Sequence, residues 1–218
     1  MPFRAEGAEI RNQSVFVFPD WSITSVIHYE YNTAMLTLAI QAGGKSSRMG
    51  KDKALMPFRG VPLIQYLMDR LAPIADEIIV TTNTPEDYSF LDVRLAPDLR
   101  LGRGALGGLY TALSAAKGDL VAVVACDMPF ASDQFFLTAS KLIVTHDADI
   151  VIPKTEYGYE PLHALYRRDS CIPPIEAALD ADKWKVISWF DQVKVHALSP
   201  EESVTFNPDG LTFWNLNT

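Results

Sequence analysis

From residue 35 onward, short apolar runs alternate with segments of helical periodicity. The runs "LTLAIQ" (36–41), "EIIVTT" (77–82), "VRLA" (93–96), "LVAVVAC" (120–126), "DIVIP" (149–153), "LHALYR" (162–167) and "VKVHAL" (193–198) predict strands. Helices are predicted between them, near 62–73, 106–117, 132–144 and 171–190. The strand runs are continuously apolar instead of alternating with polar residues, which means burial on both faces of a sheet. An α/β fold follows: a three-layer αβα sandwich around a mainly parallel, Rossmann-like sheet. No repeat or low-complexity linker divides residues 35–218, so they are read as one domain.

Residues 1–34 have a different character. "SVFVFPDWSITSVIHYEY" is aromatic and β-branched enough to pair as a strand or hairpin, and the segment carries only Arg4 and Arg11 as basic residues. It lacks the charged-then-apolar order and small-residue cleavage site of a secretory signal. Met35 stands directly before the first strong strand. The expectation is an N-terminal extension over 1–34 and a catalytic domain that begins at Met35.

Composition narrows the class. A chain of 218 residues, 48% hydrophobic and 21% charged, is long enough to bury a proper core. Its net charge of -8, with a pI near 4.9, excludes a protein that coats nucleic acid or an anionic membrane. No apolar run approaches the roughly 20 residues of a membrane-spanning helix. Two cysteines, Cys126 and Cys171, make neither a disulfide framework nor a zinc ribbon, so a reducing cytoplasm is expected.

An open parallel sheet binds its ligand beyond the carboxyl ends of the strands. Three unusual loops lie at such ends: "AGGKSSRMGKDK" after the first strand, "TNTPED" after the second, and "DMPF" after 120–126. In the first, Gly43 and Gly44 let the backbone approach a ligand and point N–H groups at phosphate oxygens. Lys45 and Arg48 suit outer phosphates, and Lys53 reaches in from the far end. Gly44-Lys45-Ser46 resembles the tail of a P-loop, but the required first glycine is replaced by Ala39, and Arg48-Met49-Gly50 would break the helix that must follow. The alternative to phosphate binding is a solvated basic turn.

"GRGALGG" (102–108) spells G-x-G-x-x-G, yet Pro97 to Leu101 separate it from the preceding strand, so the dinucleotide fingerprint is coincidental. Gly107-Gly108 reads instead as the opening of a small-residue helix packed close to the sheet. Asp98, just upstream, suits a ribose or base edge, or a simple turn. In "VAVVACDMPF" the apolar strand ends abruptly at Asp127, and Pro129 prevents its continuation. A carboxylate there, opposite a phosphate loop, is placed as a hard oxygen ligand for magnesium, which borrows its other oxygens from water and substrate phosphates. Ser132 and Asp133 are better placed than Asp127 to cap the next helix. "YGYEPLHALY" sets Glu160 and His163 at a strand start, with no serine or cysteine partner for a triad. "TFWNLNT" places Asn215 and Asn217 on one face of an extended segment.

With these motifs in hand, the sequence resembles the molybdenum cofactor guanylyltransferases, the MobA-like branch of the nucleotidyltransferase superfamily. The signature "AGGKSSRMGKDKAL" (42–55) is similar to that family's L-A-G-G-x-S-x-R-M-G-x-D-K-x-L, with Gln41 in place of leucine. "CDMPF" (126–130), "EPLHALY" (160–166) and "FWNLNT" (213–218) support it. The resemblance implies a sheet of the nucleotide-diphospho-sugar transferase type, and transfer of GMP from GTP to molybdopterin or its molybdenum-loaded form, releasing pyrophosphate. It further implies a triphosphate held by Ala42, Gly43, Gly44, Ser46, Arg48 and Lys53, a guanosine flanked by Asn83, Asp98 and Gly107, and Mg2+ on Asp127. Lys53, Arg48 and Asp127 become the catalytic candidates. Glu160, His163, Asn215 and Asn217 fall on the pterin side. Molybdoenzymes or their chaperones would receive the product. The Gly43-Gly44 pair resembles the guanine-using pattern, whereas Ala105 departs from the Gly-Pro-Leu-x-Gly core of the second glycine loop. The family usually runs a few residues past its Asn-Thr, so a short terminal helix is expected to be missing after Thr218. A cytidylyltransferase or another NTP transferase of the superfamily, and a non-catalytic GTP-binding regulator, are the competing readings.

Overall fold

The computed structural model describes residues 34–42 and 52–216. The calls on residues 1–33, including most of the N-terminal extension, lie outside them. The main strands are β1 (Leu36–Gln41), β4 (Glu77–Thr81), β5 (Arg94–Ala96), β6 (Leu120–Ala125), β7 (Ile150–Thr155), β9 (His163–Arg167) and β10 (Val195–Leu198), joined in the order β10-β7-β9-β6-β1-β4-β5. A short strand β8 (Gly158–Tyr159) folds back on β7, and β2 (Pro57–Phe58) pairs with β3 (Val61–Pro62) as a separate hairpin. The helices are α1 (Leu63–Leu71), α2 (Gly104–Ala115), α3 (Asp133–Thr145), α4 (Arg168–Asp180) and α5 (Pro200–Val204).

Neighbours in the sheet are parallel except around β9, which runs antiparallel between β6 and β7. Successive side chains of a strand point to opposite faces, and the central strands bury both. Leu36, Leu38 and Ile40 of β1, with Ala122 and Val124 of β6, pack under α1 and α3. Ala39, Val121 and Val123 face the other way, against Leu109 and Leu113 of α2 and Ile175 and Leu179 of α4. The expected three layers are present, and each strand's unbroken apolar run fills two cores at once.

Two local departures have clear causes. The helix expected over 171–190 starts earlier and stops at Asp180. Asp182 adopts a left-handed conformation (φ 57°), its N–H donates to Leu179 O, and the Lys183 N–H donates to Ala178 O. That pair of bonds is a Schellman stop, built on an aspartate where glycine is the usual signal. The β2–β3 hairpin turns on Arg59 and Gly60, both with positive φ (50° and 91°), as a two-residue turn of the primed type requires. Prolines at 57 and 62 disguised its two-residue strands.

Candidate active site

Two backbone bonds gather the loops at the carboxyl ends of β1, β4 and β6. The Ala42 N–H donates to Thr81 O (2.9 Å), and the Cys126 N–H donates to Gln41 O (3.0 Å). The end of β1 is thereby clamped between its neighbours, and the chain leaves all three strands on one edge. Gly108 closes the space behind. A Cβ at this position would lie 2.8 Å from Gln41 Oε1, so glycine at 108 leaves room for the Gln41 side chain where α2 passes the end of β1.

Lys53 returns to this edge on a single 3-10 turn, Lys53–Leu55, capped by Asp52, whose side chain accepts from the Ala54 N–H at 3.0 Å. Asp127 stands directly past β6, half-buried. Burial pushes its carboxyl above the ordinary aspartate range, and the nearby Lys53 ammonium pulls it partly back. Lys53 and Asp127 therefore share one field, although they are far apart in the sequence. Cys126 beside them is no nucleophile: desolvation, with the Asp127 and Asp52 carboxylates, holds its thiol protonated far above the usual range.

On the flank formed by β4 and β5, the Asn83 amide donates to Asp98 Oδ2 (2.7 Å), and the Asp98 N–H returns to Asn83 Oδ1 (3.2 Å). The two residues expected around a nucleoside thus form one reciprocal pair. The next N–H, of Leu99, donates to Thr111 Oγ1 and ties the loop to α2. Gly107, expected beside the guanosine, also has a packing role. It lies within α2, where a Cβ would come 2.9 Å from Arg100 O, so it admits the loop's backbone against the helix.

On the opposite flank, the Leu216 N–H donates to the Asp127 carbonyl (2.9 Å), which docks the terminal segment on the metal-ligand candidate. Asn215 is near, and its buried Oδ1 has no hydrogen-bond partner among the described residues. Glu160 is half-buried; burial raises its carboxyl against the hydrogen bond that Thr155 Oγ1 donates to it. Gly43, Gly44, Ser46, Arg48 and Asn217 lie outside the described residues.

His163, expected on the pterin side, has no exposed surface. Its Nε2 accepts the Ser132 N–H (3.0 Å), and its ring packs against Phe135, Phe136 and Phe213. It therefore supports the terminal segment from beneath, and a substrate would not touch it. Burial depresses its pKa from 6.5 to about 3. Below pH 6.5 the unfolded chain binds a proton that the folded imidazole refuses, so this contribution to stability is intact above 6.5 and is lost progressively toward pH 3. The unfolding free energy should fall by up to about 1.4 kcal/mol per pH unit in that window. Urea denaturation of His163→Phe should show a flatter slope, and a slope equal to the parent's would contradict the assignment.

A cavity of about 440 Å³, lined by Arg59, Tyr66, Arg70, Phe130 and residues of 205–212, includes none of these candidate residues. Its cations are already engaged: Arg59 sits over the Phe58, Tyr66 and Phe130 rings, and Arg70 donates to Ala131 O. The candidate catalytic residues lie instead on the edge that carries Lys53 and Asp127.

A carboxylate and a lysine beyond a parallel sheet, flanked by a polar pair on one side and a terminal strap on the other, match a group-transfer site for phosphorylated substrates. Comparison with known sequences agrees, for the MobA-like NTP transferase domain matches residues 38–195. The chain belongs to this family. A protein of Peptoclostridium acidaminophilum named "Probable molybdenum cofactor guanylyltransferase" is 38% identical, over 82% of this chain and 83% of its own. A "Molybdenum cofactor guanylyltransferase" of Desulfosudis oleivorans is 33% identical, over 84% and 90%. Among solved structures, the fold resembles molybdopterin-guanine dinucleotide biosynthesis protein A from Archaeoglobus fulgidus, with a TM-score of 0.72 at 24% identity, covering 84% of this chain and 92% of that one.

What the sequence reading overlooked is Asp52. It lies inside the signature, immediately before Lys53, and the signal that marks it is a capping residue directly ahead of a candidate catalytic lysine.

Proposed function

We propose that the chain transfers GMP from GTP to molybdopterin, with or without its metal, and releases pyrophosphate. The observation that carries this reading is the meeting of Lys53 and Asp127 at the carboxyl edge of the sheet, in a member of the MobA-like family. In this reaction an oxygen of the pterin's terminal phosphate attacks the α-phosphorus of GTP. The new P–O bond forms as the α–β bridging bond breaks in line, and its electron pair leaves with pyrophosphate.

Little covalent work falls to the protein, and catalysis consists of positioning and neutralising charge. Lys53 would face the α-phosphate oxygens, where negative charge grows. Gly43, Gly44, Ser46 and Arg48 would hold the β- and γ-phosphates, while Ala42, Asn83 and Asp98 would flank the nucleoside. Glu160, Asn215 and Asn217 would meet the pterin, whose ring N–H groups suit a carboxylate and an amide oxygen.

Asp127 fits a divalent magnesium ion. Among the described residues no three His, Cys, Asp or Glu side chains cluster as a complete cage, and a lone hard carboxylate is the donor set of an ion that keeps water and substrate phosphate as its other ligands. When bound, magnesium would supply charge neutralisation on the triphosphate. The ionised Asp127 would hold it, with Lys53 helping to keep that carboxylate ionised.

The product decides. With magnesium and each NTP in turn, pyrophosphate should appear only when GTP and molybdopterin are both present. Release with CTP in place of GTP would overturn the base assignment, GDP as product would point to γ-transfer, and GTP binding without any release would leave a regulatory module.

A further inference from the structure

Tyr88 ends the 3-10 turn Pro85–Tyr88, five residues beyond Asn83 in the loop that follows β4. Its side chain is fully buried in the core beneath α1, together with Ala42, Ala54 and Leu91. Only its hydroxyl reaches a polar partner: it donates to Asp52 Oδ2 at 2.5 Å. The other oxygen of the same carboxylate, Oδ1, accepts the Ala54 N–H, and Asp52 O accepts the Leu55 N–H at 3.2 Å. Asp52 itself is exposed. Water would satisfy its carboxylate equally well, so solvation alone gives no reason to hold it in place.

The tie has a mechanical consequence. Lys53 rides on a helix of one turn, which has too few bonds of its own to keep its shape. Its cap on one side is tied to a ring packed in the core, and Ala54 on the other side is completely buried. The backbone of Lys53 is therefore held at both ends, which fixes the point beside the Asp127 edge from which its side chain departs.

We propose that Tyr88 and Asp52 are positioning residues for Lys53: the buried hydroxyl fixes the Asp52 carboxylate, and the carboxylate fixes the turn that aims the lysine. The role rests on the nucleotidyl-transfer reading above. It adds a connection between two of the site's loops, because the segment that carries Asn83 on the nucleoside flank also carries the support of the lysine. Burial and the neighbouring carboxylate hold the Tyr88 hydroxyl protonated far above its ordinary range, so it remains a donor throughout the working pH range.

Pyrophosphate release from GTP and molybdopterin would be compared in the intact protein and in Tyr88→Phe, Asp52→Ala, Asp52→Asn and the Tyr88→Phe/Asp52→Ala double variant. Tyr88→Phe keeps the ring in the core and loses only the tie. It should lower kcat by about tenfold to a hundredfold, the cost of an angstrom-scale misplacement of a catalytic group, with the KM for GTP within about twofold. The double variant should be no slower than Asp52→Ala alone, because the two groups act through each other. Asp52→Asn, whose amide oxygen can still accept the Ala54 N–H while its NH2 donates to the tyrosine hydroxyl, should recover part of what Asp52→Ala loses. Should Tyr88→Phe fail to fold, the comparison of Asp52→Asn with Asp52→Ala decides alone. A kcat unchanged in Tyr88→Phe, losses that multiply in the double variant, or an Asp52→Asn no better than Asp52→Ala would each overturn the proposal. An intact protein that releases no pyrophosphate sinks the functional reading itself, and so separates that failure from this one.

Discussion

Asp127→Ala is expected to lower pyrophosphate release on the order of a thousandfold or more, the scale of several kcal/mol that a metal contributes to a phosphoryl-type transition state. The carboxylate stands at the end of β6, and burial makes its charge costly. A charge kept there against burial has a use, and its use is lost when a cation no longer has an oxygen to hold it. GTP binding should weaken far less, because the nucleoside flank at Asn83 and Asp98 is intact. Raising magnesium should not restore the rate, since the missing group is a ligand and not an affinity term alone. The fold should survive: removing a half-buried acid takes away a group that burial disfavours, so stability at neutral pH should hold or rise slightly. Single-turnover assays with GTP binding measured in parallel would check this. Full activity in Asp127→Ala would show that the metal, if one is used, is held elsewhere.

The contrast between Asp127 and His163 shows how far the sequence could be read. Asp127 was legible because an unbroken apolar run and a proline fix both its strand and the point where that strand ends. His163 sits in a similar context, at the start of a strand after a proline, yet it is fully buried and presents no surface to a ligand. Its surroundings are Phe135, Phe136 and Phe213, which reach it from another helix and from the far end of the chain. No local pattern records such contacts. Strand positions came from burial on two faces, but strand direction did not, which is why β9 emerged as antiparallel only in the structure. The Tyr88–Asp52 bond shares this cause, for it joins residues 36 apart, whereas the Schellman stop at Asp182 is local and was hidden because it uses an aspartate in place of the expected glycine. Asn83 and Asp98 were each named separately as nucleoside candidates, and only the parallel pairing of β4 with β5 makes them one reciprocal unit.

Lys53→Met should lower kcat by roughly a hundredfold to a thousandfold, the cost of removing one preorganised charge from the place where negative charge develops. Methionine keeps most of the side chain's length and apolar stem, so the 3-10 turn and the Asp52 cap should persist. The KM for GTP should rise by a smaller factor, because a group that works mainly in the transition state is felt in kcat. A second effect follows from the field shared with Asp127. The Lys53 ammonium lowers the Asp127 pKa against the upward push of burial, so its removal lets that pKa rise further. The carboxylate must be ionised to hold a cation, hence the acid limb of kcat/KM should move to higher pH in Lys53→Met than in the parent. Added magnesium competes with the proton and should move the limb back. Lys53→Arg returns the charge with a different shape, and should restore the acid limb more fully than the rate. That split between pH profile and rate separates the two roles of the lysine. A variant with unchanged kcat and only a raised KM would reduce Lys53 to a binding residue, and an unmoved acid limb would break its link to Asp127.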